Sequence, residues 1–406
     1  MFVSDSDAAN TAGSGRGLGL KITDVNTIVV NAKLRNWVFI KVTTNEPGLV
    51  GWGEASLEWK TQAVVGAVAD FAPLLIGQDP RRTEHLWQVM YRQQFFKGGI
   101  VTMSAISGID QALNDIKAKV LGVPLYELLG GKVRDRVRMY DHLGGGSSEA
   151  VYESATIDDF AKLAQDSVVA GFSALKILPV PPTRMLDGAE DLRRAAELMG
   201  TVRDAVGEDV DVMVDLHGRT TPAMAIQYGH ALAPMRPWFF EEPCQPEVVD
   251  AMVEIARALP IPIATGERLV TRWQFRELLE KRACAVIQPD VCHCGGLSEM
   301  KKIAAMAETY QISVAPHNPL GPVATMANIH FALSTPNFLI QEVMRHDVPW
   351  RNEVVDAPLD IRDGYVYPPT QPGLGLEVDE QGAAAHPYKP EPQLNCFDEE
   401  GAVADW

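Results

Sequence analysis

Three carboxylates recur at a fixed interval. Asp215 ends the run Val212-Met213-Val214-Asp215, Glu241 ends Phe239-Phe240-Glu241, and Glu267 follows Ala264-Thr265-Gly266, with 26 residues from each acid to the next. In each case a short apolar run that reads as a buried strand stops at the acid. A strand, a loop, a helix of about a dozen residues and a second loop fill such an interval, so the spacing predicts three acids side by side at one end of a parallel sheet. Adjacent carboxylates repel unless a cation lies among them. Three oxygen donors and no thiolate favour a hard cation, and Mg2+ keeps coordination positions for substrate oxygens. The bland alternative is that each acid caps the helix behind it, worth a few tenths to about 1 kcal/mol apiece.

Other ionisable groups fall at the ends of neighbouring apolar runs: Asp141 and His142, Lys176, His217, Asp290, His317 and Glu342. A full ring of acids, histidines and a lysine is a poor use of a merely structural rim. His217 lies two residues beyond Asp215, so an extended segment points both side chains the same way, to serve either as a catalyst or as a partner of the acids. His317, within Ala315-Pro316-His317-Asn318-Pro319, follows the strand next to the one ending Gln288-Pro289-Asp290. Neighbouring strands would pair its imidazole with Asp290, fixing the tautomer and raising its basicity. Glu342 reads either as a surface acid or as a protonated hydrogen-bond donor, and Lys176 either as a catalytic member of this ring or as a rim residue that simply snorkels. Arg219, His230 and Glu242 carry no assigned chemistry. Cys292-His293-Cys294 lacks the second ligand pair of a zinc site and reads as loop and core packing.

The elements that must position these groups form two patterns. From Val137 onward strand-like and helix-like stretches alternate, with eight candidate strands: 137–140, 174–178, 210–215, 238–241, 261–266, 285–288, 312–315 and 338–341. This predicts an α/β barrel of the TIM type over 137–345, with its active site at the strand C-termini. Before it, strand-like runs at 22–30, 37–42 and 50–53 precede helical patterns at 61–76, 83–92 and 102–121, which reads as an α+β domain over 20–136. Residues 346–406 are proline-rich and show no alternation. Residues 1–19 are small and polar, as in a disordered leader.

At 406 residues the chain accommodates a barrel of about 250 residues and a smaller domain. The net charge of −17 is spread along the sequence, which argues against nucleic acid and anionic membranes as partners but not against an anionic substrate at a metal site. Five irregularly spaced cysteines indicate a reducing compartment, and with no secretory or membrane-spanning segment the expected location is the cytoplasm.

Several motifs in order carry a family resemblance: Asp215-Leu216-His217-Gly218-Arg219, Glu241-Glu242-Pro243, Gly266-Glu267-Arg268, Gln288-Pro289-Asp290 and Pro316-His317-Asn318-Pro319-Leu320-Gly321-Pro322. Together with Trp52-Gly53-Glu54 and Ile76-Gly77-Gln78-Asp79-Pro80, they resemble the enolase superfamily. The subgroup is that of mandelate racemase, and within it the acid-sugar dehydratases of the galactonate kind. The resemblance spans about residues 20 to 388. It implies a modified TIM barrel of (β/α)7β form with an N-terminal α+β capping domain, a C-terminal segment returning to that domain, and a homo-oligomer, commonly an octamer. It further implies Mg2+ on Asp215, Glu241 and Glu267, His317 oriented by Asp290 as the base, and His217 as the acid that protonates a departing 3-hydroxyl. Glu342 would hydrogen-bond the carboxylate of the acid sugar. The chain departs from the pattern where such dehydratases carry Lys-x-Asn: it reads Lys176-Ile177-Leu178, followed by the proline-rich 179–183. Leucine cannot bond a hydroxyl, so the identity of the sugar is left open, and an epimerase or cycloisomerase on the same intermediate is the alternative.

Overall fold

The structure, a computed structural model, describes residues 19–93, 95–143, 156–180, 183–345, 347–393, 397 and 400–403. The expected leader, apart from Gly19, and Pro181 and Pro182 of the proline-rich loop lie outside the described residues.

Strands β1 (Ile22–Ala32), β2 (Arg35–Thr44) and β3 (Val50–Glu54) form an antiparallel meander. Helices α1 (Thr61–Leu75), α2 (Thr83–Arg92), α3 (Ile100–Leu121) and α4 (Leu125–Leu128) follow. Helix α3 lies almost against β3: a Cβ on Gly53 would come 1.9 Å from the Gly108 carbonyl oxygen, so this approach requires glycine. Most of α3 is buried, from Met103 to Ala118, because it packs on the meander with one face and on the second domain with another.

The second domain alternates as the spacing predicts. Its strands are β4 (Val137–His142), β5 (Ala174–Ile177), β6 (Asp211–Asp215), β7 (Phe240–Glu241), β8 (Ile263–Thr265), β9 (Val286–Ile287), β10 (Ser313–Val314) and β11 (Gln341–Val343). The helices between them are α5 (Ile157–Val169), α6 (Ala189–Val206), α7 (Pro222–Leu232), α8 (Val249–Ala258), α9 (Thr271–Glu280), α10 (Gly296–Thr309) and α11 (Pro322–Leu333). Neighbours pair in parallel in chain order from β4 to β10, and β11 pairs with β4. The ring closes where Val314 bridges Phe338 and the Leu339 N–H donates to the Val314 carbonyl at 2.8 Å. Eight strands with a helix in each of the seven intervals make a closed (β/α)7β barrel.

Side chains alternate along each strand. Tyr140, Ala174, Met213, Phe239, Ala264, Val286, Ala315 and Ile340 fill the barrel interior. Their neighbours Leu175, Val214, Phe240, Ile263, Ile287 and Val314 pack outward beneath the helices. The last segment adds the hairpin β12 (Ile361–Arg362) and β13 (Tyr365–Val366), whose second strand pairs antiparallel with β4. After α12 (Glu380–Ala384) the chain lies along β1, where the Asn31 N–H donates to the His386 carbonyl at 2.8 Å and Val30 bridges Pro387. Among the described residues no helix is long and apolar enough to cross a membrane.

Candidate active site

One step up each strand from the apolar interior, the alternation turns ionisable and polar groups inward. His142, Lys176, Asp215, Glu241, Gln288 and Glu342 occupy this layer from six strands, and all are buried. Asp215 and Glu241 are direct register partners on β6 and β7. Glu267 follows β8 after Gly266, whose φ of +133° turns the chain. Asp290 and His317 follow β9 and β10.

The Lys176 ammonium binds this layer together. It lies 2.7 Å from Glu241 Oε1, 2.6 Å from Glu342 Oε1 and 3.6 Å from Asp215 Oδ2. Burial alone would lower its pKa, but Glu241 and Glu342 outweigh it and hold the amine well above its ordinary range. The snorkelling alternative for Lys176 does not hold: with about 1 % of its side chain exposed, it is locked inside. Glu342 is likewise neither a surface acid nor a protonated donor. Burial alone would raise its pKa, yet Lys176 holds it well below the usual range, and its Oε2 accepts the Asn318 N–H at 2.7 Å. His142 Nδ1 stands 3.2 Å from its other oxygen.

The other acids behave differently. Burial, and then the neighbouring carboxylates, push Glu241 well up despite Lys176. Burial pushes Glu267 up to about 7, with Glu242 and Asp215 adding to it. Glu241 Oε2 and Glu267 Oε2 are buried without a hydrogen-bond donor. Acceptor oxygens left without donors on adjacent strands are the donor chemistry a hard cation takes, so Asp215, Glu241 and Glu267 fit Mg2+ in kind. In this conformation, among the described residues, no three His, Cys, Asp or Glu side chains converge closely enough to coordinate an ion; Glu241 and Asp215 are paired with Lys176 instead.

His317 Nδ1 lies 2.8 Å from Asp290 Oδ2, as adjacent strands predict. A carboxylate can only accept, so Nδ1 donates and Nε2 faces the barrel mouth, 3.7 Å from Glu267 Oε2. Burial works against protonation of this ring, but Glu267 and the Asp290 hydrogen bond push its pKa up to about 10. Asp290 is fixed in turn by the Cys292 N–H, 2.7 Å from Oδ1. The extended segment expected at His217 is not what forms. The residue is left-handed, with φ +56°, because its N–H turns back to Asp215 Oδ1 at 2.7 Å. His217 and His317 follow β6 and β10, four strands apart in a ring of eight, so the two histidines start from opposite sides of the mouth.

Several supporting residues had no role in the sequence reading. Glu242 accepts the Gly266 N–H at 2.9 Å and pairs with Arg268 at 2.6 Å, which fixes the turn carrying Glu267. Glu54, at the end of β3, accepts the Gly321 and Ala324 N–H groups, each at 2.8 Å, and so caps α11 from the capping domain. Arg35 donates to the Pro319 carbonyl at 2.6 Å. Both contacts hold the loop that carries His317. His142 already stood in the ring read from the sequence, and Gln288 was discoverable from the two-residue alternation, whereas Glu54 appeared only in a family motif, with nothing to show that it caps a helix of the barrel. Cys292 and Cys294 are buried free thiols, in keeping with core packing.

Comparison with known proteins places this geometry. Residues 21–130 match the mandelate racemase / muconate lactonizing enzyme N-terminal domain, and residues 159–382 match the enolase C-terminal domain-like family. The chain belongs to the enolase superfamily, in its mandelate racemase subgroup. It is 39 % identical over 395 residues to a D-galactonate dehydratase of Variovorax paradoxus (strain S110), covering 95 % of this chain and all of that one. A D-galactonate dehydratase of Ralstonia nicotianae is 39 % identical over 397 residues, with the same coverage. Among solved structures, a mandelate racemase/muconate lactonizing enzyme from a Sulfitobacter species superposes with a TM-score of 0.86 at 36 % identity, covering 95 % of this chain and 100 % of that one. This member of the superfamily is an enzyme, a lyase of the dehydratase kind.

Proposed function

We propose that this enzyme dehydrates an acid sugar to a 2-keto-3-deoxy acid. The observation that carries the proposal is the His317–Asp290 pair at 2.8 Å, set across the ring from His217. The names of the relatives point to the same substrate class. A proton next to a carboxylate is very weakly acidic, so abstraction needs a base held in one tautomer and positive charge where the dianion forms. Asp290 supplies the first by accepting from Nδ1, which directs the Nε2 lone pair of neutral His317 to the C2 proton. Asp215, Glu241 and Glu267 would hold Mg2+, which when bound neutralises the developing carboxylate charge and offsets the Glu267 charge that keeps His317 protonated.

The electron pair left at C2 then closes the C2–C3 double bond as the C3–O bond breaks. His217, from the opposite side, gives its proton to the departing hydroxyl, water leaves, and the enol tautomerises to the keto acid. With Lys176 holding the Glu342 carboxyl well below its usual range, the hydrogen bond to the substrate carboxylate is assigned to the Lys176 ammonium beside it. Lys176 thereby becomes a binding group, with Glu342 and Glu241 holding it charged. We also propose a cytoplasmic homo-oligomer; the mass of a single chain by light scattering would overturn the assembly.

The placement of His217 and His317 on opposite sides of the mouth also supports a second reading, epimerisation at C2, since one histidine can take the proton and the other return it; Leu178, just after β5, leaves the hydroxyl pattern of the acid open. A screen of aldonic and aldaric acids with Mg2+ decides between them. Keto-acid formation with C2 deuterium exchange in D2O is expected, and epimer without keto acid would establish the second reading.

A further inference from the structure

We infer that Gln288 is a further substrate-binding residue, whose side-chain amide takes a hydroxyl of the sugar acid as its hydrogen-bond partner. The inference rests on the acid-sugar reading above. Val286 lies in the barrel interior and Ile287 packs outward, so Gln288 turns inward again, into the layer that holds Lys176, Glu241 and Glu342. Its register neighbours on the flanking strands, by extension of the β8 and β10 pairings, are Gly266 and Ala315, neither of which offers a polar side-chain atom. Gln288 has no exposed surface, and neither its Nε2 nor its Oε1 has a hydrogen-bond partner among the described residues.

A buried amide with both ends unbonded loses free energy on folding with nothing regained, so it calls for a missing partner; Asn328 of α11 is in the same position, but only Gln288 lies in the layer of Lys176, Glu241 and Glu342. Glu241 and Glu342 in the same layer are equally buried. The chemistry of the missing partner follows from the amide. It donates through Nε2 and accepts through Oε1, and a secondary alcohol is the group on a sugar acid that does both. Just after β5, Leu178 offers no such contact, and Gln288 is the one amide among the described residues of that layer.

The test is Gln288→Met, which keeps the length and removes both polar atoms, with Gln288→Glu retaining an acceptor. The ligand-free Gln288→Met protein is expected to melt at the same temperature or higher, because an unsatisfied amide has been removed. Its kcat/KM on the best acid is expected to fall by about 10²-fold or more, while an epimer or deoxy analogue at the bonded carbon loses far less. Gln288→Glu should keep part of that selectivity. A lower melting temperature with unchanged turnover, or an equal loss on every acid, overturns the assignment. Thermal shifts with Mg2+ and each acid separate the two readings. Wild-type protein that binds an acid without turning it over sinks the dehydratase alone, equal shifts in wild type and Gln288→Met sink the Gln288 assignment alone, and no shift in the wild type sinks both.

Discussion

Lys176 is the residue on which the free site balances. Its ammonium faces Glu241, Glu342 and Asp215 with its side chain almost wholly buried, and removing one member of a buried charge cluster leaves the others uncompensated, at a cost of about 3–5 kcal/mol. Lys176→Met is therefore expected to lose stability of that order in urea denaturation without metal, and to recover part of it when Mg2+ is added, because a cation on the same acids supplies the missing charge. No recovery with Mg2+ would remove Asp215, Glu241 and Glu267 as its ligands. His317→Asn should abolish C2 exchange in D2O while the fold persists, and full exchange by that variant would overturn the base. Glu241→Gln should leave chelator-treated enzyme that Mg2+ no longer reactivates, whereas the wild type recovers its activity on adding the metal back.

At the scale of elements, α11 is tied at both ends. Its first turn is capped by Glu54 of the capping domain, and burial raises the pKa of that carboxyl although the N–H groups of Gly321 and Ala324 stabilise its charge. Glu54→Ala leaves two buried N–H groups unbonded and should cost about 2 kcal/mol or more, with a fall in kcat because the preceding loop carries His317. A variant as stable and active as wild type would refute the link. Near its other end, His330 accepts the Tyr126 N–H at 3.0 Å through Nδ1 and donates from Nε2 to the Leu374 carbonyl at 2.9 Å. Burial pushes its pKa down to about 4, while the unfolded chain takes the same proton near pH 6.5. The unfolded state thus binds more protons in this window. Stability is whole above about pH 6.5 and falls as pH drops toward 4, by about 3 kcal/mol from this residue. His330→Gln, which preserves both hydrogen bonds, should flatten that part of the profile, and an unchanged slope would assign it elsewhere.

At the scale of the whole molecule, the capping domain and barrel act as one unit because Trp87 of α2, Ser107 and Asp110 of α3, Glu54 and Arg35 are bonded into barrel loops and the C-terminal segment returns to β1. The amino-acid sequence alone determined the parts that depend on local period and interval. A 26-residue repeat placed Asp215, Glu241 and Glu267 on adjacent strands, and strand adjacency paired His317 with Asp290, since both follow from the length of a βα unit and the two-residue alternation. Tertiary structure decided what depends on the field of distant charges and on hydrogen bonds between segments far apart in the chain. Whether Lys176 is locked or snorkels, and whether Glu342 is ionised, is set by burial and by which charges end up within a few ångströms. The turn at His217 comes from one hydrogen bond to Asp215 that competes with extension. Glu54, 267 residues from Gly321, leaves no periodic trace at all, because a cap supplied from another domain is a property of the packed molecule and of no stretch of its sequence.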